Sequence, residues 1–406
     1  MGLLNYETIE EVSDSESDEM ESLGNELSLI SESISESARA IRVLEAIRED
    51  YKQGLVTDQQ VKYVTFAMES AFSDDPEGLK EVLACENILT RIGLAIVRFL
   101  SNIKEGIKKQ VDYLEYSYTF FNLQRGRVRK LRDLLRASSG KEAEVSVGVN
   151  KYLLAGDPKK EVQSMDEYSK LFSKFSGTMT PFMRSIAELL EDDLFSSLKF
   201  YKEYITGDPE DFFRERFMSL DRTLTKASTG LLDKKTISKA TYVEYDSGVM
   251  LGLSRAVVRL PQKNTYKNND YESLLHAHKF FYMYVDRKTK FNLGTLVSGS
   301  VRLTVTKAQI EKILHDTEQV LDAVDTLFKF SSQLSHAGAA MSVNYSDLFL
   351  KRDPSETYDP NAIVRGMQIF SRVCSILFDS TSSGYVYSLT NIKQALSIAE
   401  KAVKRF

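Results

Sequence analysis

A chain of 406 residues with 42% apolar and 27% charged content has room for two or three domains and a sizeable core. Its two cysteines, Cys85 and Cys374, lie too far apart in sequence to suggest a disulfide framework or a zinc site, and no apolar run approaches the roughly 18 residues of a spanning helix. The net charge of −5 hides a division: residues 1–86 hold 21 Asp and Glu against 6 Lys and Arg, a balance of −15, so the other 320 residues carry +10.

Residues 1–37 are dominated by Ser and Glu, as in SDSESDEMES and SLISESISESA. Such a segment has little apolar surface to offset its ordering entropy, so disorder is expected to about residue 25. Helical spacing begins at Ser37, with Ile41, Leu44, Ile47 and Tyr51 on one face, and Gly54 ends the run. Thr57 is placed to cap a second short helix, and Asp75-Pro76 to open a third that reaches Glu86. Three short acidic helices of this kind are expected to fold against a basic partner.

A strongly amphipathic helix is predicted from Asn87. Ile88, Ile92, Ile96, Phe99, Leu100, Ile103, Ile107 and Val111 follow the 3.6-residue period, and Arg91, Arg98, Lys104, Lys108 and Lys109 fill the other faces. An aromatic section follows (Tyr113, Tyr116, Tyr118, Phe120, Phe121), then an Arg-rich one: Arg125, Arg127, Arg129, Lys130, Arg132 and Arg136. Gly126 is the expected weak point of this run. The pattern suits a core-lining helix with a solvated basic face, and it also suits a helix lying on an anionic membrane surface. The Arg-rich section is the best patch for neutralising DNA phosphates without base readout.

Val145, Val147 and Val149 alternate with Ser146 and Gly148 and predict a short strand. Five of the seven prolines follow Asp, at 76, 158, 209, 354 and 360. Asp caps a free N–H and Pro presets the first turn, so most of these pairs read as helix starts. Residues 158–232 are predicted mostly helical, with Phe182, Ile186, Leu189, Leu190, Leu194, Leu198 and Tyr201 on one stripe. Beyond about residue 239, Val, Tyr, Phe and Thr with Gly breaks suggest one antiparallel sheet of three to five strands, including Val301, Leu303 and Val305. Thr306 to Gln309 forms a capping box that opens a long helix. Asp359-Pro360 opens another, and a last helix is predicted from Leu389 to the end. The fold class is therefore mainly α with a small antiparallel β-sheet in the second half (α+β). Its segments are an acidic, partly disordered leader at 1–86, a helical region at 87–238, a β-rich region at 239–305 and a helical region at 306–406.

The sequence holds no Gly-rich phosphate loop, no GxSxG elbow and no HExxH. His276 and His278 would share a face in a strand, but no Cys or carboxylate cluster at suitable spacing completes a shell, so no metal is expected. Glu188, Glu191, Asp192 and Asp193 read as a solvated acidic cluster rather than an acid–base pair. Neither an enzyme nor a cofactor is expected.

An acidic Ser/Glu-rich leader, short helices, a small-x-Glu tripeptide, a basic amphipathic helix with paired Phe and an Arg-rich helix follow one another here. This order resembles the internal head proteins of large contractile-tailed bacteriophages, and the resemblance continues through VSVGVNKYLLAGD to the closing NIKQALSIAEKAVKRF. It implies cutting by a serine-type prohead protease, related to herpesvirus assemblins, after a short motif ending in Glu. The matches are Ala84-Cys85-Glu86 before Asn87 and Ala67-Met68-Glu69 before Ser70, with Ser17-Asp18-Glu19 a weaker one. The charge step is an independent physical reason for a cut: cleavage after Glu86 removes −15 and after Glu69 −11, each leaving a positive product. The resemblance implies a non-enzymatic virion protein inside the capsid, whose partners are the prohead protease, capsid or scaffold core proteins and packaged DNA. The alternative it leaves open is a membrane-active or host-modifying protein that reaches the host cytoplasm on ejection.

Overall fold

In the computed structural model the described residues are 7–85, 87–148, 162–195, 209–231, 235–238, 241–266, 270–287, 300–329 and 360–406. The chain runs α1 (Glu7–Lys52), α2 (Asp58–Ala71), α3 (Pro76–Ala84), α4 (Ile88–Ala137), β1 (Glu142–Gly148), α5 (Met165–Glu188), α6 (Pro209–Thr229), β2 (Lys235–Ser238), β3 (Tyr242–Asp246), β4 (Ser254–Pro261), α7 (Tyr271–Ala277), β5 (Tyr282–Arg287), β6 (Ser300–Thr306), α8 (Lys307–Phe328) and α9 (Pro360–Val403). It is mainly helical, with a small antiparallel sheet in its second half.

The leader departs most from expectation. Helix α1 runs unbroken from Glu7, where disorder to about residue 25 is predicted from composition. Its span holds no proline and a single glycine, Gly24. Ile34, Ala38, Ile41, Leu44 and Ile47 form a stripe only 0–6% exposed. Burying each large aliphatic stabilises by about 1.5–3 kcal/mol, and a helix anchored there propagates upstream at little further cost. The partners of α1 are α9, its most extensive contact, and α4. The leader is thus part of the core.

The caps form as the sequence predicts. Thr57 Oγ1 accepts from the Gln60 N–H at 3.3 Å while Gln60 Oε1 accepts from the Thr57 N–H at 2.8 Å. Asp75 Oδ1 accepts from the Gly78 N–H at 3.0 Å, with Pro76 in the first turn. Thr306 and Gln309 form the same reciprocal box at the start of α8. Helices α6 and α9 begin at Pro209 and Pro360. Asp157-Pro158, Asp353-Pro354, Leu198 and Tyr201 lie outside the described residues.

Two predicted interruptions do not occur. Helix α4 is continuous through Gly126, which is exposed and has no neighbour within 4 Å of where a Cβ would stand. One exposed glycine costs about 1 kcal/mol against alanine, and the aromatic packing upstream outweighs that. Tyr118 stacks on Phe328 at 3.8 Å, and Phe121 meets Tyr385 edge-on at 5.2 Å. Likewise α9 is one helix of 44 residues, with no new start at Leu389. In its Ser/Thr-rich middle, Thr381, Thr390 and Asn391 satisfy their donors on carbonyls four residues upstream. At Gly384 a Cβ would stand 3.1 Å from Met183 Cε and 3.2 Å from Phe182 Cε1, so the glycine lets α5 approach α9.

The predicted single sheet is two. Strands β2-β3-β4-β5 form one antiparallel sheet, and β6 pairs instead with β1. The register joins Val145 to Leu303, Val147 to Val301 and Ala143 to Val305, so apolar residues face one another across the pair. Val149 lies outside the described residues. Helix α9 covers the free edge of β5, where Ser383 Oγ accepts from the Val285 N–H at 2.9 Å.

His276 and His278 stand at the end of α7 and in the 3-10 turn that follows, not in a strand. They therefore do not share a strand face: His276 is exposed and His278 is 7% exposed. Burial pushes the His278 imidazole from 6.5 down to about 4, and the charges of Arg372, Lys279 and Arg42 push the same way. The native state refuses a proton that the unfolded chain accepts below 6.5, so stability is lost as pH falls. The unfolding free energy of the wild type, read by urea titration, is expected to fall roughly 3 kcal/mol more than that of His278→Gln between pH 6.5 and pH 4. Parallel pH profiles for the two proteins would contradict this.

Candidate processing site and basic helix

Helix α3 stops at Ala84, two residues short of the predicted end. Cys85 (φ −67°, ψ 124°) and Asn87 (φ −82°, ψ 117°) are extended, and Asn87 Oδ1 accepts from the Leu89 N–H at 2.9 Å to cap α4. Ala84 and Asn87 are exposed and Cys85 is half-buried, while Glu86 lies outside the described residues. Arg91, in the first turn of α4, reaches back over this connector. Its Nε donates to the Cys85 carbonyl at 2.5 Å and its Nη2 to the Leu83 carbonyl at 2.7 Å. The guanidinium thereby caps the negative end of α3.

The second motif sits differently. Ala67 and Met68 are 2% and 0% exposed inside α2, and only Glu69 and Ser70 face solvent. A protease binds its substrate as an extended strand whose backbone it pairs with. The connector at 84–87 meets that requirement at the residues flanking Glu86, whereas the Glu69–Ser70 bond would need α2 to unwind.

The Arg-rich section divides into two sets. Arg125 bonds Asp322 at 2.9 Å and Asp325 at 2.6 Å, Arg132 bonds Glu318 at 2.6 Å, and Arg127 bonds Glu400 at 2.9 Å. These three tie α4 to α8 and α9 and do not offer an open cationic surface. Arg129, Lys130 and Arg136 are exposed, and Arg136 lies 3.9 Å from Asp133. In the acidic cluster Glu188 pairs with Lys226, while Glu191 and Asp192 are exposed, as a solvated cluster requires.

One cluster escaped the sequence reading. On one face of the four-stranded sheet the Arg259 guanidinium lies 4.4 Å from the Tyr242 ring centre and bonds Glu244 at 2.8 Å. Arg255 bridges Asp246 at 3.2 Å and Asp286 at 3.0 Å. Burial, then the neighbouring Asp379, pushes the Tyr282 phenol up to about 12. The period-two alternation of these residues was visible, but their meeting depends on a strand register that sequence does not carry. Acids and cations here neutralise one another, which suits a structural face. Cys374 is buried, which pushes its thiol up. Among the described residues no group of three or more His, Cys, Asp or Glu is placed to hold a metal ion.

Comparison with known protein families, characterised proteins and solved structures finds no match.

A glutamate-specific endoprotease acting on the folded chain is expected to cut after Glu86 and to spare the Glu69–Ser70 bond. Arg91→Ala should speed the first cut about tenfold, since two hydrogen bonds from a charged group are lost. Peptide mapping at early times reads both bonds. Equal cutting at Glu69, or an unchanged rate in the variant, would contradict the geometry.

Proposed function

We propose that the chain is a non-enzymatic internal protein of a phage head, made with an acidic leader that a prohead protease detaches between Glu86 and Asn87. The observation that carries this reading is the break between α3 and α4, where Cys85 and Asn87 are extended, which coincides with the step from a −15 segment to a +10 remainder. The resemblance in order of parts supports it. Capsid or scaffold core proteins are the assembly partners. Packaged DNA meets the product non-specifically, through the net positive charge and through Arg129, Lys130 and Arg136.

The packing of α1 changes how such a leader departs. Cutting the connector leaves Ile34, Ile41, Leu44 and Ile47 in the core. The immediate product is a nicked complex, and the leader separates only when that face is given up.

Mass spectrometry of mature virions tests the cut. Trypsin leaves residues 81–91 as one peptide in an uncut chain. The expected result is a peptide beginning at Asn87 in its place. Full abundance of the 81–91 peptide would overturn the reading.

A further inference from the structure

We propose that the leader masks a lipid-binding face on the first half of α4, and that its departure bares this face to anionic membrane. The inference rests on the preceding reading that the leader is cut away.

Helix α4 is held by different partners along its length. Over residues 88–111 Gly106, Arg98 and Arg91 meet the leader. A Cβ at Gly106 would stand 2.8 Å from Ile34 Cδ1 and 3.1 Å from Ile30 Cγ2. Arg98 donates to the Ala71 carbonyl at 3.3 Å, bonds Asp74 at 2.8 Å and lies over the Phe72 ring at 5.6 Å. Arg91 holds the end of α3. From residue 113 onward the named contacts come from α8 and α9, through Tyr113, Tyr118, Phe121, Arg125, Arg127 and Arg132. Loss of the leader therefore uncovers the first half and leaves the second half anchored.

The uncovered face has a definite chemistry. Ile92, Ile96, Phe99, Leu100, Ile103 and Ile107, now 0–4% exposed, fall on one stripe. Arg91, Arg98, Lys104, Lys108 and Lys109 flank it, against a single acid, Glu105. Two of those cations are occupied by leader carbonyls and Asp74 while the mask is in place. A stripe of six large apolar side chains bordered by cations fits the headgroup boundary of an anionic bilayer, lying in its plane. Duplex DNA would use the cations and leave the stripe in water. No described helix is long and apolar enough to cross a membrane.

The test uses the full chain with a recognition sequence for a site-specific protease inserted between Glu86 and Asn87. Uncut and cut protein are floated with phosphatidylglycerol-containing vesicles at low salt. Uncut protein should remain below. After cutting, residues 87–406 should float at least tenfold more than the uncut chain, with residues 1–86 left behind. Replacing Lys104, Lys108 and Lys109, all exposed, by Gln should lower the floated fraction about tenfold or more. In the uncut chain, Gly106→Leu drives against Ile30 and Ile34 and should raise binding severalfold. Equal flotation before and after the cut would overturn the proposal. So would a leader that stays bound in vesicle excess, or a released fragment that binds duplex DNA and not vesicles. The cut is engineered, so this outcome is independent of whether virions carry the natural one.

Discussion

The burial of one face of α1 against α9 and α4 is the contact on which the rest of the architecture depends. The acidic leader supplies five residues of the core there, and two long helices lose a shared partner without it. Of its acids, Glu32 and Glu36 are exposed, while Glu45 is buried beside Arg48. A helix needs only one stripe to be anchored, and the spacing of Ile34, Ala38, Ile41, Leu44 and Ile47 provides it.

The arginines of α4 do two kinds of work, and their positions explain the division. Arg91 and Arg98, seven residues apart and so on one side of the helix, each close the C-terminal end of a leader helix. Arg125, Arg127 and Arg132 reach carboxylates on α8 and α9. Half of a run of basic residues that looks like an external patch is thus internal bonding between elements far apart in the chain. Cations at one end of α4 hold the leader, while those at the other end hold α8 and α9.

Much of the local structure was legible in the residues. Thr57, Asp75 and Thr306 act as caps because capping needs only neighbours within three positions. The alternation in β1 was equally readable. What stayed hidden depends on residues distant in sequence. The pairing of β1 with β6 spans about 150 residues and could not be told from membership in the nearer sheet. Likewise, the carboxylates that receive Arg125 and Arg127 lie 197 and 273 residues on. At the candidate site the Ala84–Glu86 motif and its charge step were visible. The burial that closes Ala67 and Met68 to a protease was not.

Native-state hydrogen exchange on the intact chain tests the central claim directly. If the leader is a core element, amides of Ile34–Ile47 should be protected to within about 1 kcal/mol of those of Ile92–Ile107, and the two should open together. Exchange of the Ile34–Ile47 amides at unstructured-chain rates, with α4 and α9 still protected, would contradict it.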